Sequence, residues 1–416
     1  MDRKSLGILV GGGPAPGING VIAAATIEAV NNGLRVVGIL DGYQHLAQGD
    51  ASHTIELGID DVSRIHLTGG SILRTSRTNP VKDEETLHNC IGALRELGVH
   101  YLIAIGGDDT TYGAAKIAEL TRGQLGVATV PKTIDNDLPL PDSTPTFGFE
   151  TARSVGTAIV ESLIEDARTT RRWYLVVSMG RKSGALAIGM CKAAGATLAI
   201  IPEEFPGDEV SLEVVVDTLA GAIIKRKALG YDHGVAVIAE GIAEHLSAEQ
   251  LSALEGVTRD AYGHVRLADV PLGTVLRDLV RERLFKLGVR TTLITKDIGY
   301  ELRCVRPVPY DLEYTRTLGY GAMRYLLSGE SGALIALCDG RIVPLSFEEM
   351  LDTKTGRIRV RTVDIASESY EVARKYMTRL EDADFSEPRL AGLAAQTTLD
   401  AAQFREAFGR WMSHAD

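Results

Sequence analysis

Along the chain, short runs of β-branched and leucine-rich residues alternate with longer segments in which apolar side chains recur at helical spacing. The runs are LGILV (6–10), LRVVGIL (34–40), YLIAI (101–105), LGVATV (125–130), WYLVVSM (173–179), ATLAII (196–201) and GVAVIA (234–239). Helical spacing marks NGVIAAATIEAV (19–30), ETLHNCIGALREL (85–97) and FETARSVGTAIVESLIEDA (149–167). Continuous apolar strands separated by helices predict βαβ units, and so an α/β fold with mainly parallel sheets sandwiched by helices. The proline-rich stretch LPLPDSTPTFG (138–148) can extend neither a strand nor a helix and predicts a boundary. The expected organisation is an N-terminal α/β domain over 1–145, completed by about 303–345, a second α/β domain over 146–302, and a C-terminal extension over 346–416 with no derivable role.

Length and composition exclude more than they identify. A chain of 416 residues with 45% hydrophobic and 24% charged positions suits two or three globular domains. A formal net charge of −11 argues against a nucleic-acid partner, although local arginines can still bind phosphates. MDRK leads directly into the first strand, and no apolar run is long enough for a signal peptide or a membrane span, so a cytoplasmic protein without a membrane partner is expected. Cys90, Cys191, Cys304 and Cys338 lie far apart and form no CxxC pair, which favours buried free thiols over a zinc ribbon or disulfide framework. His45, His66, His88 and His100 show no metal-ligand spacing and receive no role.

The chemistry-bearing motifs follow strand ends, where parallel sheets bind ligands. GGGPAPGIN (11–19) follows the first strand and opens a helix, a setting in which free N–H groups and the helix dipole bind phosphate, or in which glycines simply make a tight turn. It is neither a Walker loop, because Ile18 and Asn19 replace the Lys and Ser/Thr, nor a dinucleotide fingerprint, because Pro16 takes the third glycine position. In IGGDDTTYG (105–113), Asp108 and Asp109 suit a magnesium ion bridging to substrate phosphates, while one of them could cap a helix beginning near Thr110. In VPKTIDNDLP (130–139), an extended backbone would point Asp135 and Asp137 the same way, one to accept a proton from an attacking hydroxyl and the other to fix geometry or metal, with Lys132 adding positive charge; Asp-Asn-Asp before Leu-Pro is also a common turn. Arg74, Arg77, Arg171, Arg172, Arg181, Arg303 and Arg306 stand at expected strand edges, where guanidinium groups could converge on a phosphorylated substrate or face solvent.

Taken jointly and in order, GGGPAPGIN, GGSILRTSR, GGDDT, PKTIDND, SMGR, AEG (239–241) and GYELR with PVPYD resemble the phosphofructokinase family over roughly residues 5 to 345. The resemblance implies two similar α/β domains with the active site between them and phosphoryl transfer to the 1-hydroxyl of fructose 6-phosphate. ATP-using relatives carry glycine after the first Asp of GGD and glycine before TIDND. Asp109 and Lys132 occupy those places here. Asp109 would oppose the α-phosphate of a nucleotide by bulk and charge, and the Lys132 ammonium would pair with pyrophosphate, so the sequence looks like the pyrophosphate-dependent subfamily. Carried over by position, Asp135 resembles the general base, with Asp137 beside it and Thr133 contacting the transferring group. Asp108 resembles the Mg²⁺ carboxylate, and Gly12 and Lys132 would hold pyrophosphate. Met179, Gly180, Arg181, Glu240, Tyr300 and Arg303 would surround the sugar phosphate. Arg172 matches an arginine that enters a neighbouring subunit, which implies a homodimer or homotetramer.

The sequence departs from the family pattern at three places. Ile294 stands where a further interface arginine is usual, so that either Lys296 or Arg290 substitutes or the contact is missing; Arg74 replaces a common glycine; and RCVRP replaces a glycine-rich turn. These leave donor choice untouched and open the possibility of another phosphosugar such as sedoheptulose 7-phosphate. An ATP-dependent kinase and a silent regulatory subunit are the alternatives within the family, the latter opposed by intact Asp108, Asp135 and Asp137. A nicotinamide-dependent oxidoreductase fits the fold class but not Pro16.

Overall fold

The computed structural model describes residues 3–205, 207, 210–246 and 270–409. The described residues divide into two compact units: the first from 3–152 with 300–361, the second from 153–246, 270–299 and 362–409. The residues after 346, expected to form a separate extension, are thus shared between the units, with the division at 361/362. The reason is local pairing: Ala333–Cys338 and Arg341–Ser346 form a hairpin on the edge of the first unit's sheet, and Phe347, Met350 and Ile358 pack into that unit's core.

The first unit is built on strands β1 (Ser5–Val10), β2 (Arg35–Ile39), β3 (Thr54–Glu56), β4 (Tyr101–Gly106), β5 (Gly126–Thr133), β6 (Phe147–Gly148), and the two hairpin strands. In sheet order these run hairpin, β5, β4, β1, β2, β3, with β6 also on β5. The central strands pair in parallel, and β1 is buried along its whole length, which is why they read as unbroken apolar runs instead of alternating. One face is covered by α1 (Ile18–Asn31) against the helix Pro309–Leu327. A Cβ on Gly319 would come within 2.5 Å of the Val21 carbonyl oxygen, so the close approach of these helices requires glycine there. The opposite face carries α2 (Glu84–Glu96) and α3 (Asp108–Thr121) over a second apolar cluster.

The second unit holds β7 (Trp173–Ser178), β8 (Leu198–Ile200), β9 (Gly234–Ala239) and β10 (Leu293–Ile298) in the parallel order β10-β7-β9-β8. Helix α4 (Phe149–Thr170) leads from one unit to the other. Its first turn is capped from afar: the fully buried Asp311 carboxylate accepts from Gly148 N at 2.9 Å, Thr151 N at 2.8 Å and Thr151 Oγ1 at 2.6 Å. Burial pushes the Asp311 carboxyl above the usual range, and these donated bonds work against that. Among the described residues, no helix is long and apolar enough to cross a membrane.

Candidate active site

In the first unit, two glycine turns, after β1 and β4, and the turn after β5 lie at the carboxyl ends of neighbouring strands. Gly11 continues β1 by donating to the Ile105 carbonyl at 2.9 Å, and Gly12 donates to the Ser76 carbonyl at 2.9 Å. Thr75 Oγ1 donates to Gly12 O at 2.7 Å, so the segment bearing Arg77 is fastened beside the loop. Buried Thr110 lies over both Gly11 and Gly106; any side chain at either position would collide with it, which explains two of the glycines by packing alone. Gly12 is different. Its φ of 81° is left-handed, and a Cβ there would sit 3.2 Å from Lys132 Nζ, so glycine serves both backbone and access.

Lys132 points from β5 into this loop. It is only 3% exposed, and its ammonium donates to the Gly13 carbonyl oxygen. The Arg303 guanidinium packs against Gly13, where any Cβ would strike it, and stacks over the Tyr300 ring at 5.3 Å. A lysine and an arginine therefore converge on one backbone loop, an arrangement suited to a polyanion. Tyr300 itself is 66% exposed.

Asp108 and Asp109 occupy the first turn of α3, which begins at Asp108 and not near Thr110. Gly107 is the N-cap, and Asp108 and Asp109 lie inside the helix, past the cap position. The expectation that one of them is the N-cap therefore fails. Both carboxylates are half-buried in this first turn, where they offer the hard oxygen atoms that Mg²⁺ prefers.

The IDND segment is not extended. β5 ends at Thr133, and Asn136 takes a left-handed φ of 58°, so Asp135 and Asp137 flank a sharp turn instead of alternating along a strand. The turn signal was present in Asp-Asn-Asp, since Asn tolerates this region better than other side chains. Asp135 N donates to Thr133 Oγ1 at 3.0 Å, and Thr146 Oγ1 donates to Thr133 O at 2.8 Å, tying the turn to its strand.

In the second unit, Met179, Gly180, Arg181 and Glu240 are brought together at the carboxyl ends of β7 and β9. Glu240, 6% exposed, accepts from Gly180 N and Arg181 N, both at 3.1 Å. Arg181 has a left-handed φ of 46°, and Gly241 lies so close to the Arg181 carbonyl that no side chain would fit. Arg172 immediately precedes β7 and so sits at the opposite end of that strand, apart from this cluster. Arg74 forms an ion pair with Asp41 at 3.3 Å, and Arg171 lines a cavity at the amino ends of the strands with Lys227 and Arg290. The sequence pattern gave no sign of Thr110, which packs on Gly11 and Gly106, or of Asp311, which caps the start of α4.

One further expectation is revised. Cys90 and Cys191 are buried, but Cys304 is exposed and Cys338 half-buried. His45 stacks on His53 with ring centroids 3.5 Å apart and planes within 4°, beside Asp50. Parallel rings cannot both aim a lone pair at one ion, so this cluster is no metal site as it stands.

The phosphofructokinase family model matches residues 5–326. The chain belongs to the phosphofructokinase family. It is 55% identical over 390 residues to the pyrophosphate--fructose 6-phosphate 1-phosphotransferase of Thermotoga maritima, covering 92% of this chain and 93% of the relative. It is 48% identical over 414 residues to the enzyme of the same name from Naegleria fowleri, covering 97% and 95%. Among solved structures, a pyrophosphate-dependent phosphofructokinase from Marinobacter aquaeolei superposes with a TM-score of 0.67 at 16% identity, over 95% of this chain and 92% of the other, a likeness of fold. The turns built by Gly12, Asp108 and Lys132 all fall within the matched phosphofructokinase region.

Proposed function

We propose that this chain catalyses reversible phosphoryl transfer from pyrophosphate to the 1-hydroxyl of fructose 6-phosphate, giving fructose 1,6-bisphosphate and orthophosphate. The observation that carries the donor assignment is the buried Lys132 ammonium held at the Gly12–Gly13 loop, where ATP-using relatives have no side chain. Relatives named for this reaction align over 92% and 97% of the chain and support the same reading.

Phosphoryl transfer needs alignment and charge neutralisation more than covalent catalysis. Gly12 and Lys132 hold pyrophosphate, with Arg77 beside the loop, and Asp109 excludes the α-phosphate of a nucleotide. Asp135 takes the proton of the sugar hydroxyl as its oxygen bonds to the transferred phosphorus and the bridging P–O bond breaks, releasing orthophosphate. Thr133 contacts the transferring group, and Asp137 fixes the geometry. Mg²⁺, held by Asp108, would neutralise phosphate charge. Met179, Gly180, Arg181, Glu240, Tyr300 and Arg303 bind the sugar phosphate. Arg172, placed away from its own unit's cluster, serves a neighbouring copy in a homo-oligomer, and the enzyme is cytoplasmic.

Reversibility supplies a direct test. Purified protein given fructose 1,6-bisphosphate, orthophosphate and Mg²⁺ is expected to form pyrophosphate and fructose 6-phosphate. Formation of fructose 6-phosphate without pyrophosphate would overturn the reading.

A further inference from the structure

Arg361 lies 225 residues from Asn136 in the chain, yet its polar atoms converge on the acidic turn. The chain reaches it through a tight reversal in which Leu351 bridges Ile358 and Arg359 N donates to Met350 O at 2.9 Å. Met350 and Ile358 are buried in the same apolar cluster as Leu138 and Leu140, which follow the turn directly, so Arg361 is delivered from a fixed platform. Its backbone N donates to Asp137 O at 2.7 Å. Its Nε donates to Asn136 O at 3.0 Å, its Nη1 to Thr144 O at 2.8 Å, and its Nη2 to Asn136 Oδ1.

These bonds bear on a residue in an unfavourable conformation. A left-handed backbone costs a non-glycine residue about 1–2 kcal/mol, less for Asn, and persists where surrounding contacts over-determine it. Asn136 has a φ of 58°, and its Oδ1 also accepts from Thr146 N at 3.0 Å. The side chain and the carbonyl of Asn136 are therefore both gripped, and the guanidinium makes both contacts. A residue on either side of a left-handed pivot is re-aimed when the pivot relaxes to negative φ. Those residues are Asp135 and Asp137.

We propose that Arg361 is a positioning residue for phosphoryl transfer, holding Asn136 in the left-handed conformation that aims Asp135 at the sugar hydroxyl. The inference rests on the assignment of Asp135 as the base. Lysine cannot replace the planar fork: its three donors sit on one nitrogen, whereas Arg361 reaches Asn136 O, Thr144 O and Asn136 Oδ1 from three separate nitrogens. Misplacement of a catalytic group by about 1 Å can cost about 100-fold in rate.

The test compares wild type, Arg361→Lys and Arg361→Ala as full-length proteins with Mg²⁺, pyrophosphate and fructose 6-phosphate. Arg361→Lys is expected to lose about 10- to 100-fold in kcat while both KM values stay within about twofold, since the substrate contacts are untouched. Arg361→Ala should lose more and recover part of its kcat when free guanidinium is added at concentrations that leave the wild type unaffected. A wild-type kcat in Arg361→Lys overturns the inference alone, as does a loss in either variant that tracks a fall in melting temperature and is not restored by guanidinium. If Arg361→Ala does not fold, the kcat of Arg361→Lys decides. A wild type inactive with pyrophosphate overturns the functional reading and this inference with it.

Discussion

Replacing Lys132 with Met removes one charge from the first unit while keeping the buried four-atom stem. Lys132 is 3% exposed and its ammonium touches the Gly13 carbonyl, so the charge acts in a largely desolvated setting at the loop assigned to pyrophosphate. A hydrogen bond to a charged group there contributes about 1.5–3 kcal/mol, and each 1.4 kcal/mol is about tenfold in affinity, which gives a loss of roughly 10- to 150-fold in kcat/KM for pyrophosphate. Gly13 is half-exposed, so water can take over its carbonyl and the melting temperature should move little. The assay is initial-rate formation of fructose 1,6-bisphosphate at varied pyrophosphate and saturating fructose 6-phosphate, with KM for the sugar phosphate as the internal control. A pyrophosphate kcat/KM within twofold of wild type would refute the reasoning and reduce Lys132 to a clamp on the loop. A fall in both substrates' kcat/KM together with a lower melting temperature would refute it as well.

Asp109→Gly with Lys132→Gly should lose pyrophosphate activity and admit some turnover with ATP; a double variant that keeps its preference for pyrophosphate would contradict the account of donor choice. Arg122, exposed, ends α3 with a left-handed φ of 48°, so Arg122→Gly should raise stability by about 0.5–1 kcal/mol, or about 1–3 °C by calorimetry, and a lower melting temperature would count against this. Burial pushes the Cys90 and Cys191 thiols up to about 12, so iodoacetamide at pH 8 should label exposed Cys304 and spare those two until the protein is unfolded, as read by peptide mass spectrometry. Labelling of native Cys90 would show that its helix opens readily.

The parallel strands were legible because their burial on both faces makes them continuous apolar runs; β1, β4, β5, β7 and β9 stand where the pattern put them. β10 was not, since it is the edge strand of its sheet and carries Thr295, Lys296 and Asp297 at part-exposed positions that break the apolar run. The hairpin Ala333–Cys338 with Arg341–Ser346 was missed for a related reason: its second strand is half-exposed with Arg341 and Pro344 within it. At the site, placements set by neighbours in sequence were readable, such as Asp108 and Lys132 at strand ends. Roles made by distant pairing were not. Asp311 caps a helix some 160 residues away, and the extended backbone assumed for Asp135 and Asp137 gave way to a turn fixed at Asn136.

The central claim is that Asp109 and Lys132 set the phosphoryl donor. The most direct measurement is fructose 1,6-bisphosphate formation by the wild-type protein with Mg²⁺ and fructose 6-phosphate, supplying pyrophosphate in one assay and ATP in another. Turnover with pyrophosphate and none with ATP is the predicted result; turnover with ATP alone would contradict it.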